Sequence, residues 1–266
     1  MIDYSRYTAI KVEKQDRVAL VTLNRPEKLN PFDAQLHREL EDILEDMAKD
    51  GEVNAVVLTG AGKAFSAGGD LRAMRARLED SSSAPSVPLG GAYRLINNLV
   101  NLEKPIISAV NGDAIGLGAT VALFCDVIYA AENARFGDPH VKVGLVAGDG
   151  GCVIWPLLIG MSRAKEYLLS GDLMIASEAE RIGLINKVLP QDQVVPAAMA
   201  FAGRLANGAT KAINWTKASL NQYLKQQMNL ILYTSLATEY LCMQSKDHKE
   251  ALDAFLEKRP PRFTGA

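Results

Sequence analysis

The chain of 266 residues is poor in cysteine and histidine and carries no excess of one charge. Its three cysteines, Cys125, Cys152 and Cys242, are odd in number and form no CxxC pair. Neither a disulfide framework nor a zinc ribbon is therefore expected, and a reducing compartment is the simplest setting. Lys and Arg total 29 against 31 Asp and Glu, a net charge of −2. No nucleic-acid partner is expected, since such partners usually need a basic face, although a local anion site stays open. No apolar run approaches the ~18 residues of a membrane span. The first residues, MIDYSRYTAIKVEK, lack the apolar stretch of a secretory signal. No membrane partner is expected, and the cytoplasm is the expected location. The chain does have an ordinary apolar share, 48%, with 23% charged residues, which excludes disordered or low-complexity classes.

The first third reads β-β-α-β. Residues 8–13 and 17–23 alternate as a strand pair turned at Gln15–Asp16. Asp33 caps a helix whose Leu36, Leu40, Ile43, Leu44 and Met47 form one stripe ended by Gly51. Val53–Thr59 reads as a buried strand, followed by a glycine-rich loop through Gly69 and a helix from about Asp70. Residues 79–90 are rich in Ser and Pro and read as a surface loop, placed to act as a lid over a glycine-rich site. A helix at 91–102, a strand at 106–110, a glycine turn, a helix at 118–124 and a strand at 125–130 come next. The last third is helical, with Ser162 and Ser177 as caps and periodic segments at 192–206, 210–226, 229–245 and 247–257. The pattern is an α/β core with a helical C-terminal portion.

Several motifs fail on inspection. Gly60-Ala61-Gly62-Lys63 lacks the first Gly of a P-loop, where Val57 stands, and the Ser or Thr after the Lys, where Ala64 stands. No glycine opens a full GxGxxG. Ser66 in Ala64-Phe65-Ser66-Ala67-Gly68 lies six residues beyond its strand, too far for a nucleophile elbow, and is expected to support the backbone or face solvent. His37 flanks the apolar stripe of the early helix and His248 sits in Lys246-Asp247-His248-Lys249-Glu250; both are expected to be solvated surface groups.

Two glycine-rich turns each follow a strand and open a helix: Phe65-Ser66-Ala67-Gly68-Gly69-Asp70-Leu71 and Asn111-Gly112-Asp113-Ala114-Ile115-Gly116-Leu117-Gly118. Unpaired N–H groups at such helix starts point along the positive end of the dipole, and two converging on one point would form an oxyanion hole. Two unrelated structural turns would give the same pattern. A third segment, Phe136-Gly137-Asp138-Pro139-His140, leads through Gly144-Leu145 and Gly148-Asp149-Gly150-Gly151 into an apolar helix through Trp155. Together with Thr22-Leu23-Asn24-Arg25-Pro26-Glu27-Lys28-Leu29-Asn30, these segments resemble the enoyl-CoA hydratase/isomerase (crotonase) superfamily from about residue 8 to the Phe263-Thr264-Gly265 tail.

The resemblance implies an α/β fold of the crotonase, ClpP-like kind, a spiral of β-β-α units in residues 1–190 holding an acyl-CoA site. Residues 191–266 would then form a C-terminal helical trimerisation region, giving a homotrimer or a dimer of trimers. It implies no cofactor beyond the coenzyme A of the thioester substrate, and no metal. Carried over by position, Gly69 and Leu117 supply the oxyanion N–H groups. Arg25, Lys28, Ala67, Gly68, Asp70 and Leu71 match CoA-binding positions, and Lys258 and Phe263 match a tail that reaches CoA, commonly from a neighbouring subunit. Hydratases of this family deliver water with two glutamates, and those positions fall on Thr120 and His140. What remains is His140 with Asp149 nine residues on, a pair able to move protons or activate water. The expected function is acyl-CoA processing through a thioester enolate with a His/Asp pair replacing the glutamates. Alternatives are hydrolytic C–C cleavage of a cyclic β-keto substrate, dienoyl- or enoyl-CoA isomerisation, and a catalytically weak CoA-binding scaffold. Glu239 and Tyr240 stand next in line as proton carriers. Ile213, Leu220, Leu224, Leu230, Leu236 and Leu241 are more apolar residues than a surface layer needs, which favours assembly.

Overall fold

The strands that read as apolar and alternating build one sheet. In the computed structural model, which describes residues 2–79 and 89–266, β1 (Ile10–Gln15) pairs antiparallel with β2 (Val18–Leu23). The turn between them lies at Asp16 and Arg17, both at positive φ, one residue later than expected. Asp33 caps α1 (Ala34–Lys49) through the N–H groups of Gln35 and Leu36, and the predicted stripe is buried. β3 (Ala55–Gly60) is buried along its whole length, as a parallel strand covered on both faces should be.

From β3 onward the chain repeats one figure: a long strand, a short strand, then helix. β3 gives way to β4 (Ala64–Ser66), then α2 (Leu71–Glu79) and α3 (Leu89–Asn101). β5 (Ile106–Val110) leads to β6 (Asp113–Ile115) and α4 (Leu117–Leu123). β7 (Val127–Ala131) leads to β8 (Arg135–Gly137), a 3-10 turn at Pro139–Val143 and α5 (Gly151–Ile159). The long strands join a six-stranded sheet; β4, β6 and β8 run parallel in a second, four-stranded sheet. This is the β-β-α spiral. The remaining partners are α6 (Met161–Ser170), β9 (Met174–Ile175), α7 (Ala176–Arg181) and β10 (Lys187–Leu189). α8 (Val194–Ala206) packs on β3 and β5.

Three expectations are corrected. Residues Thr210–Cys242 form a single 33-residue helix, α9, where the periodicity suggested two. Packing against α3 and α5 carries it past the join. α6 and α7 begin after Gly160 and Ile175, with no side-chain cap, so Ser162 and Ser177 cap neither. His37 and His248 are buried, at 5% and 2% exposure. His248 Nδ1 is hydrogen-bonded to the Val143 carbonyl at 2.7 Å, and His37 Nδ1 lies 3.0 Å from Glu41 Oε1 one turn on. His248 belongs to α10 (Lys246–Glu257), which packs on α2 and on the 3-10 turn at Pro139–Val143. The proposed lid falls mostly on residues 80–88, outside the described residues. No helix among the described residues is long and apolar enough to cross a membrane.

Candidate active site

β4, β6 and β8 lie side by side and parallel, so the three loops that leave their C-terminal ends meet at one edge of the small sheet. This is where open α/β sheets present ligand sites. The first loop is tied down by Ala67 N–H to the Leu29 carbonyl (2.9 Å) and by Phe32 N–H to the Gly68 carbonyl (2.7 Å). Ser66 is buried; its hydroxyl donates to the Asn30 carbonyl at 2.7 Å and accepts from Gly68 N–H, a supporting role and not a nucleophile's. Gly68 has φ +85° and lies so close to the second loop that a Cβ there would stand 2.7 Å from the Ile115 carbonyl oxygen. Only glycine permits both the angle and the approach. Gly69 and Leu117 are thereby brought to neighbouring loops. Leu117 opens α4, where its N–H has no carbonyl one turn back to bond.

The third loop brings its histidine to the same place. His140 Cε1 lies 3.5 Å from where a Cβ on Gly116 would be, one residue before Leu117. Its Nε2 is 3.5 Å from Asp149 Oδ2, and its side chain is 11% exposed. His140 Nδ1 is in short contact with Asp138 Oδ1, a partner the sequence reading did not name. Asp138 is fully buried at the start of the 3-10 turn and accepts from His140 N–H as well. The imidazole thus lies between two carboxylates. Thr120, at the first glutamate position, is buried, and its hydroxyl donates to Asp149 Oδ1 at 3.3 Å. Asp149 does not cap α5; Gly150 occupies that position.

Electrostatics follow from this crowding. Burial disfavours a charged His140, but the Asp138 and Asp149 carboxylates overcome it and hold the imidazolium well above the ordinary histidine range. Burial raises Asp149, opposed by the His140 charge and the Thr120 hydroxyl. Glu239, from α9, is buried beside them and is pushed up to about 8 by burial and by Asp149. Cys152 in the first turn of α5 is pushed up to about 11 by burial and by Asp138, Asp149 and Glu239, so its thiol is not a ready nucleophile. Asp138, His140 and Asp149 can each offer one atom to a common ion, all within 4.8 Å. Nδ1 is engaged by Asp138, and Nε2 faces Asp149 Oδ2 at an ion-pair distance of 3.5 Å.

The expected CoA positions divide. Arg25 is committed to Asp33 and to Gln35 Oε1 at 2.5 Å. Asp70 caps α2 through the N–H groups of Arg72 and Ala73. Ala67 and Lys28 are exposed beside the first loop, and Leu71 is half-buried at the start of α2. Lys258 is exposed at the end of α10, and Phe263 lies 47% exposed in the tail. That tail folds back on its own chain, Thr264 N–H donating to Asp247 Oδ1 at 2.7 Å.

Comparison with known proteins agrees with this architecture. The enoyl-CoA hydratase/isomerase family model matches residues 13–266. The chain belongs to the enoyl-CoA hydratase/isomerase family. It is 36% identical over 249 residues to a short-chain-enoyl-CoA hydratase of Clostridium acetobutylicum, covering 93% of this chain and 94% of that one. A crotonyl-CoA hydratase of Syntrophomonas wolfei is 34% identical over 259 residues, 97% and 98% of the two chains. Among solved structures, an enoyl-CoA hydratase/isomerase from Mycobacterium paratuberculosis superposes with TM-score 0.85 at 35% identity, over 92% of this chain and 98% of that chain. The fold is the crotonase fold, and the chain is an acyl-CoA enzyme of this family.

Proposed function

We propose that the site moves protons on the acyl chain of a CoA thioester by way of an enolate. The N–H groups of Gly69 and Leu117 receive the thioester oxygen as it gains negative charge, the work of an oxyanion hole. The Asp149 carboxylate, facing the His140 imidazolium that Asp138 holds from its other side, accepts the proton from the carbon next to the thioester carbonyl. The observation that carries this reading is the placement of His140 against Gly116, which puts the proton carrier over the loop that ends in Leu117 N–H. The chemistry uses only this chain's groups and the thioester.

Hydrolytic cleavage of a β-keto ring needs a neutral imidazole to take a proton from water. Two flanking carboxylates favour imidazolium instead, which leaves the Asp149 carboxylate facing Nε2 as the group able to accept a proton from carbon. A passive scaffold has no reason to retain four buried titratable groups in one pocket, each costly to desolvate. Exposed Trp215, Leu220, Tyr223, Leu230, Tyr233 and Leu241 along α9 support assembly as a trimer or dimer of trimers. Three free cysteines support a cytoplasmic setting.

The test is deuterium uptake. Butanoyl-CoA in D2O should gain mass at the carbon beside the carbonyl with the wild-type protein. His140→Ala should lose that uptake by on the order of 10²-fold or more while CoA still raises its melting temperature. Equal uptake in His140→Ala, or none in the wild type, overturns the proposal.

A further inference from the structure

One buried acid has no place in that scheme. Glu239 lies on α9, a turn after Ser235, whose hydroxyl donates to the Gly148 carbonyl at 2.8 Å. The Glu239 side chain lies directly on Gly148: a Cβ there would stand 2.6 Å from Glu239 Oε2 and 2.7 Å from its Cβ. Gly148 precedes Asp149, so the absence of a side chain at this one position lets the acid reach the backbone next to the proton pair. Glu239 is only 7% exposed, yet its carboxyl makes no hydrogen bond to the described residues. Its two oxygens are not among the fully buried atoms that lack a partner, so the acid keeps a narrow opening from its place beside the proton pair.

The charges around it decide its state. Asp149, His140 and Asp138 face it from the third loop, and Cys152 from α5. Two carboxylates and one imidazolium already leave a net negative pocket, and a third carboxylate would add a like charge without a counterion. Glu239 therefore holds its proton at neutral pH.

We propose, resting on the enolate reading above, that Glu239 is the second proton carrier, delivering a proton to a carbon of the acyl chain other than the one deprotonated by the His140–Asp149 pair. For a 3-enoyl thioester the steps balance. The pair takes a proton from C2, and the C–H electrons form the dienolate with charge on the thioester oxygen. The electrons then return through the C3–C4 bond as C4 takes the Glu239 proton, leaving a 2-enoyl thioester. Asp149 has gained one proton and Glu239 has lost one, and the two are restored by transfer within the cluster.

Two probes separate this step from the first. Glu239→Gln keeps the shape and neutrality of the acid but cannot give up a proton. With butanoyl-CoA in D2O, the variant should exchange the C2 proton within about threefold of wild type, since that step belongs to the His140–Asp149 pair. With 3-butenoyl-CoA, its conversion to 2-butenoyl-CoA should fall by on the order of 10²-fold or more. Wild-type conversion should decline as pH rises through about 8, where Glu239 ionises, and that limb should be missing in the residual activity of the variant. The infrared band of a protonated carboxyl should be present at neutral pH in wild type and lost in Glu239→Gln, a readout that needs no substrate.

Conversion in the variant within threefold of wild type, with the same alkaline limb, overturns the role of Glu239. So does wild-type exchange without any conversion, or loss of both reactions together in a folded variant, which would make Glu239 structural. Absence of exchange in the wild type overturns instead the enolate reading on which this rests.

Discussion

Replacing Asp138 by Asn tests the construction of the proton pair at a residue that lies behind it. The change keeps the volume of a side chain with no exposure, whose Oδ2 lies within 2.2 Å of any Cβ that Gly151 would carry. It removes one of the two charges that hold His140 as imidazolium. A hydrogen bond to a charged group is worth about 1.5–3 kcal/mol. Its loss shifts the imidazolium-to-imidazole balance by roughly ten- to hundredfold. The chain has three histidines, so ring resonances followed by NMR against pH identify His140 easily. In the wild type its ring should stay protonated well past neutrality; in Asp138→Asn it should titrate at lower pH. A histidine raised in the folded state adds stability that is complete below about pH 6.5 and is lost as pH rises through its folded titration. The stability gap between wild type and variant should therefore be widest between about pH 5 and 6.5 and narrow above. Turnover should fall by at least on the order of 10²-fold, given that the comparable Asp-to-Asn change in a serine-protease triad costs about 10⁴. A wild-type His140 that titrates near 6.5, or an Asp138→Asn protein with unchanged His140 titration, refutes the reasoning.

Gly69→Pro should lower proton exchange on butanoyl-CoA by about 10²-fold or more if the protein folds, because proline removes the donor itself. Leu117→Ala, which keeps its N–H, should retain substantial activity. Free CoA should raise the melting temperature. Lys28→Ala should shrink that rise, whereas Arg25→Ala, whose partners are Asp33 and Gln35, should lower the melting temperature of the unliganded protein instead. Light scattering at micromolar concentration should give the mass of a trimer or hexamer; a sharp mass of 28.8 kDa would contradict assembly through α9.

The sequence made the long elements legible, and the loops that carry chemistry with them. Leu36, Leu40 and Met47 announce α1 by spacing, and the glycines of the three loops mark the strand ends where the site forms. β4, β6, β8, β9 and β10 were not legible, being two or three residues long, too short for alternation to register. Of these, β4, β6 and β8 matter most for the site, because their parallel order makes the loops converge. Asp138 escaped notice because in Phe136-Gly137-Asp138-Pro139-His140 it reads as a turn former, and only the folded turn aims its carboxylate at Nδ1. His37, at the edge of the α1 stripe, and His248, in a charged run, read as surface groups, while the Glu41 carboxylate beside the one and the distant Val143 carbonyl bonded to the other meet them only in the fold.

The length of α9 has a mechanical consequence. At 33 residues it spans about 50 Å as one rod. Its outward side chains include Tyr233, stacked on Tyr93 at 4.6 Å, and Leu241. Between them, on the inward side, sit Ser235 and Glu239, clamped to Gly148. The exposed Tyr233 and the buried Glu239 thus ride on one unbroken helix. Were α9 the assembly surface proposed above, one rod would carry both the subunit contact and the proposed acid.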